Sequence, residues 1–151
     1  MRRKEKEITD RAAIDEILHR AAICRLGLAD GGEPYVVPLC FGYDGEALFF
    51  HSAKQGRKID MIGRNSRVCF EVDVDQEIVD ATEACGWTMK YISVIGFGRA
   101  RLVDDPAEKE EGLHTLMRHY SHKTFTMAKG ALAKTLVIKV EIESVAGKES
   151  G

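Results

Sequence analysis

The first apolar residues of the chain recur at the spacing of one helical face. Side chains three or four positions apart lie on the same side of an α-helix. The residues that follow this spacing are Ile14, Ile17, Leu18 and Ala21. Thr9 or Asp10 can cap the N-terminus of such a helix. The pattern therefore predicts an amphipathic helix that packs one side against the rest of the molecule.

Short apolar and β-branched runs follow, separated by glycine-containing turns. The clearest turns are Asp-Gly-Gly-Glu at 30–33 and Tyr-Asp-Gly at 43–45. Such tight turns join antiparallel strands. The pattern predicts strands over residues 22–29, 34–43, 47–53, 68–74, 91–103 and 135–145.

Two further helices are predicted between these strands. One covers about residues 57–63, directly after Gly56. The other begins after Asp105, with Pro106 at its first position and Glu108 three residues beyond the cap. Its apolar face is predicted to consist of Leu113, Leu116, Met117 and Tyr120. Residues 76–88 are acidic and irregular, and no element is assigned to them.

The order of the predicted elements is α-β-β-β-α-β-β-α-β. Strands that follow one another through tight turns, with helices in the remaining gaps, favour a mostly β fold. We expect an antiparallel sheet curled into a barrel, with flanking helices packed outside. A small barrel has no wide interior, so a ligand would lie on its outside or in a cleft between subunits.

Length and charge narrow the possible functions. The 151 residues fit one domain spanning 1–151. The balance of 22 basic against 24 acidic residues disfavours a nucleic-acid partner, which needs a basic surplus. No apolar run approaches the ~18 residues of a membrane span, and the N-terminus does not resemble a secretory signal. We therefore expect a cytoplasmic protein with no membrane partner.

The cysteines and histidines give no sign of a metal centre. Cys24, Cys40 and Cys69 lie inside apolar runs, and no CxxC pair is present. They are interpreted as buried free thiols of a reducing compartment. The histidines at 114, 119 and 122 are interpreted as surface residues near the end of a helix, because 114 and 119 point to different helical faces.

The strongest chemical signal is a basic turn after the third strand. A strand ends at His51 and Ser52, Gly56 allows a tight turn, and Arg57 and Lys58 open a helix. A hydroxyl, cations and the free N–H groups of a helix N-terminus are the groups that bind a phosphate dianion. Residues 54–67 contain five basic residues against one acidic, a net charge of +4. The alternative interpretation is a solvated basic helix start.

The preceding strand contains a proline where a ladder hydrogen bond would normally form. Pro38 stands in the middle of an apolar run, which marks a sheet edge or a bulge. Such a strand can turn its free backbone groups toward a flat heteroaromatic ring. The alternative is a simple irregularity at a strand end.

Several stretches together resemble a known family. They are PYVVPLCF at 34–41, FHSAKQGRK at 50–58, YISVIGFG at 91–98 and AGK at 146–148. Over roughly residues 10–148 the chain resembles the nitroimidazole-resistance branch of the pyridoxamine 5'-phosphate oxidase-like FMN-binding split barrels. The resemblance implies a six-stranded antiparallel split β-barrel that forms a homodimer, with FMN in the clefts between subunits.

The resemblance also implies which residues contact the cofactor. The flavin ring would lie along Val36, Val37, Pro38 and Leu39, and the phosphate would be held by His51, Ser52, Arg57 and Lys58. Trp87 and Tyr91 are candidates for a stacking contribution. No arginine follows Arg118, whereas the full pyridoxamine phosphate oxidases resemble one another in an Arg-containing C-terminal segment. This departure argues against oxidation of vitamin B6.

Three functions remain open, and the third of them is a dimeric interaction module whose phosphate site is vestigial. The first is an FMN-dependent oxidoreductase that transfers hydride or electrons to a small acceptor such as a nitroaromatic, nitroimidazole-type compound. In it, His51 would be a catalytic proton donor or would position the phosphate turn. The second is a non-catalytic flavin or haem carrier built on the same barrel.

Overall fold

The computed structural model describes residues 2–151 as a mostly β molecule with four α-helices. The strands are β1 (Glu7–Ile8), β2 (Cys24–Asp30), β3 (Glu33–Leu39), β4 (Gly42–Tyr43), β5 (Ala47–Ser52), β6 (Arg67–Val79), β7 (Thr88–Val103) and β8 (Leu136–Ser150). The helices are α1 (Arg11–Arg20), α2 (Arg57–Arg64), α3 (Pro106–Tyr120) and α4 (Lys129–Lys134). Short 3-10 turns occur at Lys4–Lys6 and Ala84–Gly86.

All strands join one antiparallel sheet whose ends do not meet. The strand order is β3-β2-β6-β7-β8-β5-β4, and β1 pairs with β8. Six of these strands are longer than two residues. An antiparallel sheet that curls around a core without closing is a split barrel, so the predicted fold class is confirmed.

The barrel interior is filled by one side of each strand together with the apolar faces of α1 and α2. Phe41, Phe50 and Phe70 are almost completely inaccessible to solvent, and Ile14, Leu18 and Met61 join the same core from the helices. Burying one such side chain stabilises the fold by roughly 1.5–3 kcal/mol relative to leaving it exposed. Because these side chains fill the interior, a ligand would bind at the surface of the molecule.

The helix caps predicted from sequence are present. The Asp10 carboxylate accepts a hydrogen bond from the Ala13 N–H at 3.1 Å, and Asp105 accepts one from the Glu108 N–H at 2.9 Å. Asp10 rather than Thr9 is therefore the cap of α1. The buried face of α3 differs from the prediction, since Gly112, Thr115 and Leu116 are its buried residues.

The predicted strand over 34–43 is wrong in its second half. The chain leaves the sheet after Leu39 and pairs again only at Gly42 and Tyr43. The Phe41 N–H donates to the Tyr120 hydroxyl at 3.0 Å, which draws this segment toward α3. A Cβ on Gly42 would lie 2.5 Å from the Leu116 nitrogen, so only glycine fits beneath the helix.

Three strands, β6, β7 and β8, are longer than predicted, and α4 was missed. Residues 76–88, left without assignment, contain the end of β6, a 3-10 turn and the start of β7. The pairing of β6 with β7 shifts register between Val74 and Glu77, where this region begins. There Asp75 has a φ of +57°, and the Arg20 guanidinium binds its carboxylate through two hydrogen bonds of 3.0 and 2.8 Å.

Within residues 2–151, no helix is both long and apolar enough to cross a membrane.

Candidate functional site

The N-terminus of α2 has no side-chain cap. Its N-cap residue is Gly56, with a φ of +141°, a conformation that L side chains rarely adopt. The N-termini of α1 and α3 are closed by aspartates, whereas the first N–H groups of α2 have no such acceptor. Free N–H groups at the positive end of a helix attract an anion.

Arg57 connects the start of α2 to the start of β3. Its guanidinium lies 3.5 Å from the Glu33 carboxylate and stacks 4.7 Å from the centre of the Tyr35 ring. At the other end of the helix, Arg64 pairs with Asp30 at 2.6 Å. These contacts fix α2 along the β2–β3 hairpin, so the basic turn lies beside the edge strand.

Lys58 is a cation of this turn that lacks a counter-charge and, unlike Lys54, it is half-buried. Its side chain is half-buried, and burial lowers the pKa of its ammonium group. Among residues 2–151, no carboxylate lies within 4.0 Å of that ammonium. A cation at a helix N-terminus is also opposed by the helix dipole. An anion held at this position would relieve both effects.

His51 and Ser52 are the last residues of β5 and precede the turn that leads into α2. They pair with Val137 and Leu136 of β8. Ser52 is half-buried, and its hydroxyl donates to the Ala53 carbonyl at 2.9 Å, while His51 is exposed. We name the group formed by His51, Ser52, Arg57 and Lys58 the basic turn.

The predicted ring-binding residues lie on a free edge of the sheet. β3 pairs only with β2, so the edge interpretation of Pro38 is confirmed. The side chains of Val37 and Leu39 pack on the core, whereas Val36 is 64% exposed and Pro38 is exposed. Pro34 and Pro38 have no backbone N–H, so this edge offers fewer donors than an edge strand without proline.

Trp87 and Tyr91 lie at the opposite end of the sheet from the basic turn. β6 starts just after α2 and runs for 13 residues, roughly 40 Å of strand, before it pairs with the start of β7. Trp87 is 54% exposed, and the Tyr91 hydroxyl accepts a hydrogen bond from the Lys148 ammonium at 2.8 Å. One protomer therefore does not bring these two residues to the other candidate site residues.

Tyr35 and Glu33 are site residues that the sequence did not indicate. Both hold the Arg57 side chain against β3. The only sequence signal for them was the alternation of inward and outward side chains along β3, where Tyr35 lies between two exposed positions. Their contact with α2 depends on how the helix packs, which local patterns do not contain.

The cysteine and histidine interpretations are partly wrong. All four cysteines are free, but only Cys24 is buried, and burial raises the pKa of its thiol to about 12. Cys40 is exposed in the connection between β3 and β4, and Cys69 is half-buried in β6. His119 is half-buried rather than superficial, and its Nε2 lies 2.6 Å from the Ala21 carbonyl oxygen.

Two cavities of the protomer lie away from the basic turn. One of about 450 Å³ is beside the C-terminal end of α3 and is lined by His114, Arg118 and Phe125 among others. One of about 500 Å³ lies between α3 and α4. Neither is lined by a predicted site residue. The charge arrangement of the basic turn, rather than cavity size, therefore identifies the candidate site.

Comparison with protein families identifies the fold family. The model of the pyridoxamine 5'-phosphate oxidase family matches residues 10–149. The chain belongs to this family. No curated protein sequence matches it.

One solved structure of similar shape is a relative above 30% identity, and two others share the fold. A candidate 5-nitroimidazole antibiotic resistance protein from Bacteroides thetaiotaomicron is 33% identical, with a TM-score of 0.85 over 95% of this chain and 86% of that chain. The flavocytochrome Anf3 from Azotobacter vinelandii has a TM-score of 0.85 at 22% identity, covering 100% of this chain and 72% of that one. A FAD and haem binding protein from Mycobacterium smegmatis has a TM-score of 0.84 at 21% identity, covering 96% and 73%.

Proposed function

We propose that this protein is an FMN-binding flavoprotein that acts as a homodimer and transfers hydride or electrons to a small acceptor. The observation that carries the proposal is Lys58, a half-buried cation without a carboxylate partner, at a helix N-terminus that has no side-chain cap. These groups suit the phosphate of FMN. Several structural neighbours are named for flavins, which supports the same cofactor class.

Each residue of the basic turn has a different task in phosphate binding. Lys58 provides a charge in a partly dehydrated position, where a charge-assisted hydrogen bond is stronger than in water. Arg57 is held in place by the Tyr35 ring and presents a planar set of donors. The Ser52 hydroxyl, which now donates to the Ala53 carbonyl, can rotate to donate to a phosphate oxygen.

The flavin ring would lie along the free edge of β3. Val36, Val37, Pro38 and Leu39 form this edge next to Tyr35, which contacts Arg57. Unpaired backbone groups of an edge strand can bond the polar rim of a flat ring, while the exposed side chains of Val36 and Pro38 contact its surface. When bound, FMN supplies the hydride and electron chemistry that no side chain offers.

The proposed homodimer would form through the outside of the sheet, where exposed apolar side chains flank the Arg25–Glu71 ion pair. We name this the outer face and define it by Val36, Pro38, Cys69, Ile95 and Phe97. Val36, Ile95 and Phe97 are 64%, 47% and 42% exposed, respectively. Val36 and Phe97 lie in one row across the sheet, because the register aligns both with Cys69 through Gly27. A patch of this kind marks an interaction surface.

The outer face includes the edge strand that would contact the flavin ring. A second copy packed on this face would therefore border the cofactor. Trp87 and Tyr91 are proposed to contribute to the cofactor site from that second copy, since their own protomer keeps them distant from the basic turn.

The proposed acceptor is a nitroaromatic compound of the nitroimidazole type. Support comes from the 33% identical structure, whose name refers to 5-nitroimidazole antibiotic resistance. His51 is the imidazole that adjoins the basic turn and is exposed, so it could donate a proton to a reduced acceptor. A proton-donor role predicts that His51→Asn slows acceptor reduction without weakening FMN binding. A positioning role predicts weaker FMN binding instead.

A non-catalytic flavin or haem carrier is the second candidate function. One neighbour that shares the fold is named an FAD and haem binding protein and another a flavocytochrome, which is the observation in its favour. The four free thiols suit the reducing cytoplasm that we propose as the location under either function.

Anaerobic reduction and reoxidation distinguish the two functions. Protein loaded with FMN is titrated with a nicotinamide donor and then mixed with a nitroimidazole, with the same concentration of free FMN as the control. An oxidoreductase bleaches and regains its visible absorbance faster than free FMN does. Reoxidation no faster than that of free FMN would contradict the enzyme and support the carrier.

A further inference from the structure

The AGK stretch at 146–148 lies where the N-terminal segment joins the sheet. β1 pairs with β8 there, with Ile8 opposite Gly147 and Glu7 opposite Lys148. A Cβ on Gly147 would lie 2.9 Å from the Ile8 Cβ, so glycine at this position lets β1 lie close against β8. The stretch therefore holds the residues before β1 beside Lys148.

A short 3-10 turn precedes β1 and places two cations on one side. It covers Lys4–Lys6, and the Lys6 N–H donates to the Arg3 carbonyl oxygen at 3.1 Å. Side chains three positions apart eclipse each other in a 3-10 turn. Arg3 and Lys6 therefore lie on the same side of the turn, and both line a cavity together with Lys148.

The cavity between this turn and the end of β8 is lined almost entirely by cations. Its volume is about 380 Å³, and its lining residues are Arg2, Arg3, Lys6, Lys148 and Ser150. We name it the terminal pocket. Lys6, Lys148 and Ser150 are half-buried, whereas the two arginines are exposed. Positive charges gathered around one cavity repel each other, so an anion bound among them would be stabilising.

The cations of the terminal pocket have no counter-charge in the protomer. Every other arginine of the chain lies within 4.0 Å of a carboxylate oxygen. Among residues 2–151, no carboxylate lies that close to any of the four cations of the pocket. Glu7 is the cross-strand neighbour of Lys148, yet the two side chains form no ion pair. Asp75, Glu77 and Glu149 line a separate cavity of about 310 Å³.

The hydroxyl of Tyr91 reports the positive field of this cluster. It accepts a hydrogen bond of 2.8 Å from the Lys148 ammonium, which lowers the pKa of Tyr91, and Lys6 acts in the same direction. The same ammonium lies 5.2 Å from the centre of the Tyr91 ring. The cluster thus favours the negatively charged form of a group beside it, as it would favour an anionic ligand.

Phosphate is the anion that this set of donors suits best. Guanidinium groups bind phosphate oxygens through paired N–H donors, and ammonium groups add compact charges. One phosphate group carries about two negative charges at neutral pH. Two phosphate groups therefore match the four cations that line the pocket, whereas one phosphate would leave part of their charge uncompensated.

We propose that the terminal pocket binds the diphosphate group of a small molecule through Arg2, Arg3, Lys6 and Lys148. The Ser150 hydroxyl adds a neutral donor at the same cavity. The pocket adjoins Tyr91, which lies at the far end of the sheet from the basic turn. The inference therefore goes beyond the proposed flavin function and does not depend on it.

Calorimetric titration with inorganic pyrophosphate tests the pocket. The background is Arg57→Ala/Lys58→Ala, so that the basic turn cannot bind the anion, and the salt is held at about 0.15 M to screen general attraction. We expect one pyrophosphate for each chain. Arg2→Ala/Arg3→Ala and, separately, Lys148→Met are each expected to weaken binding roughly tenfold or more, because each removes charge-assisted hydrogen bonds.

A matched variant and two other anions complete the titration. Lys129→Ala/Lys134→Ala removes two exposed cations of α4 and should leave the affinity unchanged. Citrate carries a similar charge without phosphate and should bind more weakly than pyrophosphate. ADP distinguishes the two sources of a diphosphate: tighter binding of ADP indicates a nucleotide, and equal binding indicates the free anion. No pyrophosphate binding, equal weakening by the α4 variant, or citrate binding as tight as that of pyrophosphate would overturn the proposal.

Trypsin cleavage gives a second readout that needs no substitution. Trypsin cuts after arginine and lysine, so a ligand that holds Arg3 and Lys6 should slow cleavage after both residues. Cleavage after Lys129 and Lys134, which are exposed and far along the chain, is the internal control. Mass spectrometry of the wild-type protein with pyrophosphate, or with sulfate at equal ionic strength, follows each site. Protection that is absent, or equal at the N-terminus and in α4, would contradict a built diphosphate site.

Discussion

Removing both cations at the start of α2 should selectively weaken binding of the phosphate of FMN. The variant is Arg57→Ala/Lys58→Ala. Both side chains open the helix whose N-terminus lacks a side-chain cap. Neither belongs to the hydrophobic core, so we expect the fold to remain intact.

The size of the effect follows from the surroundings of each cation. A hydrogen bond to a charged group contributes roughly 1.5–3 kcal/mol. Lys58 is half-buried and unpaired, so its share should lie near the upper end. Arg57 is more exposed and already faces Glu33 at 3.5 Å, so its share should lie near the lower end or below. The sum of roughly 3–5 kcal/mol corresponds to a loss of about 10²–10⁴ in affinity.

The assay is a fluorescence titration of the cofactor-free protein with FMN and, separately, with riboflavin. Riboflavin has the same ring but no phosphate, so its affinity should hardly change in the double variant. Arg64→Ala is the matched control on the same helix, because Arg64 pairs with Asp30 at the opposite end from the basic turn. Equal losses for FMN and riboflavin, or an unchanged affinity for FMN, would refute the assignment of the phosphate site.

Two further predictions concern stability. His119 is packed 4.3 Å from the Phe41 ring, its Nδ1 is buried without a hydrogen-bond partner, and burial lowers its pKa below 6.5. The unfolded chain therefore takes up this proton more readily, so stability should be full above pH 6.5 and fall as the pH drops toward the lower folded pKa. Urea unfolding of wild type and His119→Gln at several pH values checks this, and an equal pH dependence in both would contradict it. Gly42→Ala should destabilise the protein by about 1–3 kcal/mol, because its Cβ would lie 2.5 Å from the α3 backbone. Gly63→Ala, which faces open space in α2, should stabilise it by up to about 1 kcal/mol, and the reverse order in thermal unfolding would refute the packing argument.

Features set by neighbours in the sequence were predictable. The aspartate caps of α1 and α3 depend on residues three positions apart, and both are present. The start of α2 follows from Gly56, and the edge position of β3 follows from Pro38. These signals act between residues that are close in the sequence, so the sequence alone contains them.

Features set by distant partners were not predictable. Residues 75–79 are polar enough to resemble a loop, yet they continue β6 because β7 pairs with them across a register shift. The break after Leu39 results from the hydroxyl of Tyr120, far along the chain. The contact of Arg57 with Tyr35 likewise depends on how α2 packs on the β2–β3 hairpin.

The residues of the candidate site also fall into those that local sequence predicts and those that depend on distant contacts. The residues of the basic turn lie within one short segment, so their grouping was predictable from sequence. Trp87 and Tyr91 lie at the far end of the sheet, and no property of a single protomer brings them to that segment. The cofactor role proposed for them would therefore need a second copy of the chain.

The most direct test of the flavoprotein proposal is the visible spectrum of the protein after incubation with FMN and gel filtration. The account predicts a yellow protein peak at the elution volume of a dimer, with one FMN for each chain, and a colourless peak after the same treatment of Arg57→Ala/Lys58→Ala. A wild-type peak that elutes without flavin absorbance would contradict the assignment of α2 as a phosphate-binding helix.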